Sequence, residues 1–459
     1  MAPTGPGRHT VRRSLIWLLY YGGLLAFGLV FLHQQLLGRI YGDEWRYTLY
    51  ARNLLDGHYS PPGVVFIWNG PGYPLFLAPL EALGLPWSIG RYLNAVLLVG
   101  AVAYFRNTVR LFAGARWAAL AGLLLGLFPP LLWHLHLLYS ETLTAFLITG
   151  FAYHYLQAVW RAGNRHLVVA GVFLGALALT KIVFGTALLV WGALALGGFA
   201  ITRSRALGRT AVVAALAFAL CTPYLAYTYQ LTGRTLYWGS AMGMSLYFMS
   251  SPHPGELGDW YHQGHVRKVS ALRRNHMAVL ERIGRFAEVP KDSPIGELHY
   301  LCTDEADAAF RQIALDNIRA HPGKYFKNWL ANLSRMFFDT PFSYENVWPH
   351  RPDVFAVNGL VLLLFLWSLV AAIRDRRRLD AGMLMVLLLG LIALGGNSLI
   401  STVGRYSAPV MPLLGLWTFF VLVGRGRPGA ATTRAPDLAD PRRPDAADEP
   451  GAAASRSRA

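Results

Sequence analysis

Apolar runs of about 20 residues recur along almost the whole of this 459-residue chain, and that is the length that crosses a bilayer core. Nothing else in the sequence narrows the fold as far. In a bilayer the backbone must satisfy its own hydrogen bonds, so runs of this kind predict helices. The apolar stretches place ten spans at roughly 14–37, 87–105, 117–134, 141–160, 166–180, 182–201, 210–230, 354–373, 381–400 and 406–424. Composition points the same way. Hydrophobic residues make up 54% of the chain and charged residues 15%, which excludes a disordered chain and argues against a soluble enzyme. The first span runs straight into polar sequence with no small-residue cleavage site, so it reads as an uncleaved helix.

The charge pattern orients the spans. The formal net charge is +17, which in a soluble protein would point to nucleic acid. Here the short connections at 106–116, 161–165, 202–209 and 374–379 hold twelve arginines, whereas those near 135–140, 181 and 401–405 hold only Lys181 and Arg405. The arginine-rich side, with both termini and Arg8, Arg12 and Arg13, is therefore expected to be cytoplasmic. That side accounts for +15 of the +17, so no nucleic-acid partner is needed. Arginine outnumbers lysine 37 to 5, a pattern of GC-rich bacterial genomes. Cys221 in an apolar run and Cys302 in a polar loop make an unpromising disulfide.

The expected architecture is an all-α polytopic membrane protein of about ten transmembrane helices. Its parts are a cytoplasmic N-terminus at 1–13, a transmembrane module at 14–230 with an outer loop at 38–86, an extracytoplasmic loop domain at 231–353, C-terminal transmembrane helices at 354–424 and a disordered cytoplasmic tail at 425–459. In the first outer loop Tyr47, Tyr50, Ala51 and Leu54 repeat at helical spacing opposite Arg46, Asn53 and Asp56, which predicts an interfacial helix. A second apolar stretch ending near Gly84 is too short to span. In the larger loop, amphipathic helices are expected at 304–320 and 323–338; the second carries Phe326, Trp329, Leu330, Leu333 and Phe337 on one face and basic residues on the other. That helix either lies on the membrane surface or forms a lid over the bundle.

The chain reaches Asp43-Glu44-Trp45-Arg46-Tyr47 within a few residues of the first span, and Ala51-Arg52-Asn53-Leu54-Leu55-Asp56-Gly57-His58-Tyr59 follows. With these go Pro71-Gly72-Tyr73-Pro74, Arg91, Tyr139-Ser140-Glu141, Leu177-Ala178-Leu179-Thr180-Lys181 and Gly404-Arg405-Tyr406-Ser407-Ala408-Pro409-Val410-Met411-Pro412. In order and position these runs resemble the GT-C membrane glycosyltransferases, more narrowly the bacterial branch related to protein O-mannosyltransferases and the lipid A aminoarabinose transferase. The resemblance extends over residues 14–424 and implies an inverting transfer at the outer face of the plasma membrane. The implied partners are a polyprenyl-phosphate sugar donor, a lipid, glycan or protein acceptor, and the membrane lipids themselves.

The resemblance also implies roles. Asp43 matches the family's catalytic acid residue and becomes the base, with Glu44 orienting it or binding sugar hydroxyls and Glu141 as a second carboxylate. Lys181, Arg405 and Arg91 become ligands of the donor phosphate. His58, Tyr59, Tyr139 and Tyr406 stand in the matching runs as substrate contacts. The chemistry fits, because a base must take the acceptor proton and cations must stabilise the departing phosphate. Each residue also has a plainer reading: Asp43 and Glu44 as interface or capping charges, Glu141 as an acid in a helix's first turn, Lys181 as a snorkelling lysine, Arg405 and Arg91 as interface anchors. No metal or other cofactor is called for. His134-x-His136 on a helix would point to opposite sides, and Glu305-x-Asp307 lies in an outer helix where nucleotide sugars are absent. No phosphate-cradling or dinucleotide fingerprint appears. The competing expectations are a transporter or flippase of envelope lipids, which usually carries midplane polar groups and inverted repeats, and a polymerase or ligase of envelope glycans.

Overall fold

The computed structural model describes residues 8–36, 38–261, 263–284, 301, 303–344 and 351–424. The tail expected at 425–459, Cys302 and the side chains of Arg8, Arg12 and Arg13 lie outside the described residues. In chain order the helices are α1 (Arg8–His33), α2 (Glu44–Leu55), α3 (Gly72–Ala82), α4 (Trp87–Phe112), α5 (Ala115–Gly126) and α6 (Pro129–Leu132). Next come α7 (Glu141–Arg161), α8 (Asn164–Thr180), α9 (Val183–Thr202), α10 (Arg205–Thr232), α11 (Met242–Met249), α12 (Gln263–Lys268) and α13 (Ser270–Gly284). The last five are α14 (Asp304–Ala320), α15 (Pro322–Phe338), α16 (Pro352–Arg374), α17 (Ala381–Ser398) and α18 (Met411–Val423). No strand occurs among the described residues.

Each of the ten expected spans falls on a helix, but they are not alike. Six of them, α1, α4, α9, α10, α16 and α17, are long and apolar enough to cross a membrane, while α5, α8 and α18 are shorter apolar helices. Two expectations change. The span drawn at 117–134 stops at Gly126, because Pro129 and Pro130 follow and cannot donate backbone hydrogen bonds. The residues beyond it make the single turn of α6, and His134 and His136 sit in a turn rather than on a helix. The span drawn from 406 begins at Met411, after a 3-10 turn at Gly404–Tyr406.

Helix α7 is the centre of the bundle. It packs against α4 and α8 and also meets α10, α17 and α18. Thr144 and Thr149 are buried on it, and their hydroxyls turn back onto the carbonyls of Ser140 and Ala145 in their own helix. Two-residue connections join α4 to α5, α7 to α8 and α9 to α10. The last two close on Ala162 and Arg203 at positive φ, the left-handed cap that ends a helix sharply. Because these hairpins alternate in direction, the start of α7, the end of α8, the start of α9 and the approach to α18 gather at one end. Helices α2 and α3 pack there, and α3 meets both α4 and α8. The run Asn69-Gly70-Pro71-Gly72 threads against the end of α8: a side chain at Gly70 would meet the Leu179 carbonyl, and one at Gly72 would meet Thr180.

A buried ion pair ties this end together. Arg91 of α4 presents Nε and Nη2 to the two oxygens of Glu44, at 3.2 and 2.8 Å. The same carboxylate accepts from the backbone N–H groups of Tyr41 and Leu138, both at 2.7 Å. Removing one partner strands a charge, so Arg91→Met is expected to cost about 3–5 kcal/mol. The check is thermal unfolding in detergent: Tm falls for Arg91→Met and partly recovers when Glu44→Gln is added. An unchanged Tm for the single variant contradicts the assignment.

Candidate active site

Gly42 adopts φ +54°, and a side chain on it would run into the Tyr139 hydroxyl, so the turn before α2 presses against the segment entering α7. Asp43 follows at the start of α2, and its own N–H reaches the Tyr139 hydroxyl at 3.3 Å. Its carboxylate is held from both sides. Arg46, one turn on, donates from Nη2 to Oδ1 at 2.5 Å, and Arg405 donates from Nη2 to Oδ2 at 2.5 Å. The Arg405 guanidinium lies 5.0 Å from the Tyr139 ring centroid and 5.3 Å from that of Tyr406. Burial alone would raise the Asp43 pKa, but the Arg46 and Arg405 guanidinium groups, with Lys181 further off, hold it well below the usual carboxylate range.

A second pair stands on the other side of Tyr406. Lys181, in the break between α8 and α9, donates from Nζ to Glu141 Oε1 at 2.8 Å and lies 5.1 Å from the Tyr406 ring centroid. Glu141 Oε2 is buried with no hydrogen-bond partner among the described residues. The cluster of Asp43, Arg46, Glu141, Lys181 and Arg405 thus joins two carboxylates to three cations. One positive charge is left over in a partly buried setting, an arrangement suited to an anion.

The expected site residues separate on this geometry. Asp43, Glu141, Lys181, Arg405, Tyr139 and Tyr406 come together. Glu44 and Arg91 do not join them, because Glu44 is fully buried with four donors on its oxygens and Arg91 is given to Glu44 and the Arg39 carbonyl. Glu44 and Arg91 instead tether the start of α2 to α4. His58 stays half-buried by its own turn, near the Asp56 carbonyl. Tyr59 stacks on Tyr50 at 4.4 Å and donates its hydroxyl to the Asn69 carbonyl, so it props the loop rather than lining the cluster.

Two members were not among the expected site residues. Arg46 clamps Asp43 while its Nε reaches Asn69 Oδ1 at 3.3 Å, and Asn69 Nδ2 in turn donates to the Tyr47 hydroxyl. The Arg46 signal lay in the sequence as an i, i+3 partner of Asp43; Asn69 had no comparable signal. His134 donates from Nδ1 to the Pro130 carbonyl at 2.6 Å. No group of three or more His, Cys, Asp or Glu placed to hold a metal occurs among the described residues.

No family model matches the chain, and no curated protein matches it. Among solved structures it is similar to the archaeal oligosaccharyltransferase AglB from Archaeoglobus fulgidus, in complex with an inhibitory peptide and a dolichol-phosphate, with 15% identity over 88% of this chain and 50% of that one and a TM-score of 0.45. The same enzyme tethered to an acceptor peptide gives 14% identity and a TM-score of 0.47. ArnT from Cupriavidus metallidurans, bound to undecaprenyl phosphate, is 17% identical over 87% of this chain and 77% of that one, with a TM-score of 0.39. The chain spans half the length of the oligosaccharyltransferase.

The lowered Asp43 pKa sets a sign for acid stability. A carboxylate stabilised in the folded state contributes fully above the ordinary carboxylate pKa, about 4, and gives that contribution up as pH falls below it. Asp43→Asn lacks the charge at every pH. The Tm gap between wild type and Asp43→Asn is therefore expected to narrow between about pH 5 and pH 3. A gap that stays constant or widens contradicts the double clamp on Asp43.

Proposed function

We propose that this protein is a membrane glycosyltransferase that moves a sugar from a polyprenyl-phosphate donor to an envelope acceptor at the outer face of the membrane. The observation that carries this reading is the cluster itself: two carboxylates and three cations, drawn from four separated stretches of chain, meet at one end of an apolar helix bundle. A lipid-linked phosphate needs such a place, where its headgroup meets cations while its chain stays in the bilayer. The motif resemblance to GT-C enzymes covers the same residues.

The chemistry then assigns itself by charge. Lys181 and Arg405 take the donor phosphate. An acceptor hydroxyl attacks the anomeric carbon from the opposite face, and Asp43 removes its proton as the new C–O bond forms. The bond from the anomeric carbon to the phosphate oxygen breaks, and the electron pair leaves with polyprenyl phosphate, whose charge the two cations stabilise. Single displacement inverts the anomeric centre. Arg46 keeps Asp43 aimed, and Glu141 holds Lys181. As the phosphate draws Arg405 away from Asp43, the carboxylate regains basicity.

The test is release of polyprenyl phosphate by the purified protein in nanodiscs, with polyprenyl-phosphate sugars as donors and an envelope extract as acceptor. Asp43→Asn is expected to lower turnover by at least about a thousandfold while donor still binds, in the range of losing a general base and its charge. Lys181→Ala is expected to weaken donor binding about tenfold or more. Near-normal turnover in Asp43→Asn sinks the base assignment. Lipid flipping without release by the wild type points to a transporter instead.

The orientation is tested separately. The turn that carries Arg405 packs against α15, so a tag placed in the stretch 231–353 is expected to be reached by an impermeant reagent from outside intact cells. Labelling only after lysis would invert the topology and with it the compartment of the reaction.

A further inference from the structure

Arg106 takes no part in the site described so far. It lies on α4 six residues before the end of that helix, about 9 Å in from the end opposite the cluster. It is 6% exposed. The Trp17 ring of α1 covers one face of its guanidinium, with 3.5 Å between the charge and the ring centroid. Nη1 donates to Asn107 Oδ1 at 2.9 Å and to the Tyr21 hydroxyl at 3.4 Å. Nε and Nη2 are buried without a hydrogen-bond partner among the described residues.

Those two atoms are one edge of the guanidinium. They form the fork that takes two oxygens of a carboxylate or phosphate side by side. On Arg91 the same two atoms hold the two oxygens of Glu44. On Arg106 the face is stacked and the far nitrogen is tied, so the fork is already oriented, and among the described residues it meets no acid. A buried, unmatched charge in a membrane helix is costly and marks a function.

We propose that this fork binds the phosphate of an anionic phospholipid in the leaflet on the arginine-rich side. Arg110, one turn on along the same face of α4, is exposed, and so are Arg116 and Trp117 at the start of α5. Together they make a basic, aromatic rim of the kind that sits at headgroup level. Gly122 lets α5 come close, because a side chain there would meet the Tyr20 hydroxyl and Arg106 itself. The covering helix turns apolar side chains outward: Ile16, Leu18 and Leu19 of α1 are exposed. It is also the least buried of the six long apolar helices among the described residues. A headgroup held by the fork would join α1 to α4 and α5 through Arg106 and its stacked Trp17. The site is independent of the proposed transfer reaction and lies at the other end of the bundle.

The test is native mass spectrometry of the full chain released from detergent with phosphatidylglycerol, phosphatidylcholine or inorganic phosphate. Wild type is expected to retain phosphatidylglycerol about tenfold better than phosphatidylcholine. Arg106→Gln, and Arg106→Lys, which keeps the charge without the fork, are expected to lose most of that preference. Arg110→Gln, which removes one exposed charge nearby, is expected to keep most of it. An undiminished preference in both Arg106 variants overturns the proposal, and so does an equal loss in Arg110→Gln, which would mean charge without a site. Displacement of the lipid by equimolar inorganic phosphate would overturn the lipid assignment in favour of a small phosphate anion.

Discussion

The pair between Glu44 and Arg91 determines where everything at the cluster end of the molecule stands. One carboxylate collects donors from α4, from the turn before α2 and from the segment that leads into α7. Asp43 is the residue before Glu44, and Tyr139 is the residue after Leu138. Fixing Glu44 against Leu138 therefore brings Asp43 and Tyr139 together, and the contact between the Asp43 N–H and the Tyr139 hydroxyl follows. An apolar pair of the same volume would hold the helices at least as firmly. It would not set the register of a short amphipathic helix along a long apolar one. Directional hydrogen bonds do that, and the cluster needs it to within a fraction of an ångström.

The second constraint is closure. Asp43 and Arg405 lie 362 positions apart, and their contact joins the first extramembrane turn to the turn before the last helix. Tyr406 follows Arg405, and its ring stands near both Arg405 and Lys181. The two ion pairs of the cluster thus share one aromatic wall, and a shift of α18 would disturb both. The 3-10 turn at Gly404–Tyr406 matters for that reason: it delays the start of α18 and leaves Arg405 on a connection that packs against α15 rather than inside a helix.

Much of this was legible in the sequence because it rests on local rules. Apolar run length placed a helix at each of the ten expected spans. Lys181 stood out as a cation between two apolar runs. The break at Pro129-Pro130 was written in the sequence too, but the apolar residues around it mask a helix end that only the missing N–H groups impose. The burial of Glu44 beside Asp43 was not legible. Asp43 and Glu44 are adjacent and chemically alike, and only the fold shows that one faces the cluster while the other is buried against Arg91. Arg91 and Arg405 posed the same problem: both begin a helix or its approach, and each is assigned by a partner at a sequence distance no periodicity reports. His58 and Tyr59 belong to a recognisable run, yet Tyr59 supports the loop from behind and His58 stays with its own turn.

Under the proposed reaction, Asp43 differs from an ordinary catalytic base. Two guanidinium groups on one carboxylate make it a weak base, which at first counts against the role. The same contacts mean that the charges of the site are stored against one another when no substrate is bound. Arg46 is tied to Asn69 and to Asp43, so it has little freedom to leave. Arg405 is held by Asp43 Oδ2 and by ring faces, which makes it the cation that a phosphate can draw off. Glu141 keeps one buried oxygen without a partner among the described residues even while it holds Lys181, so this pair too is incompletely matched. A phosphate that engages Arg405 and Lys181 would relieve the excess positive charge and at the same stroke release one oxygen of Asp43. Under the proposed reaction, basicity would then appear only where and when the leaving group is already bound.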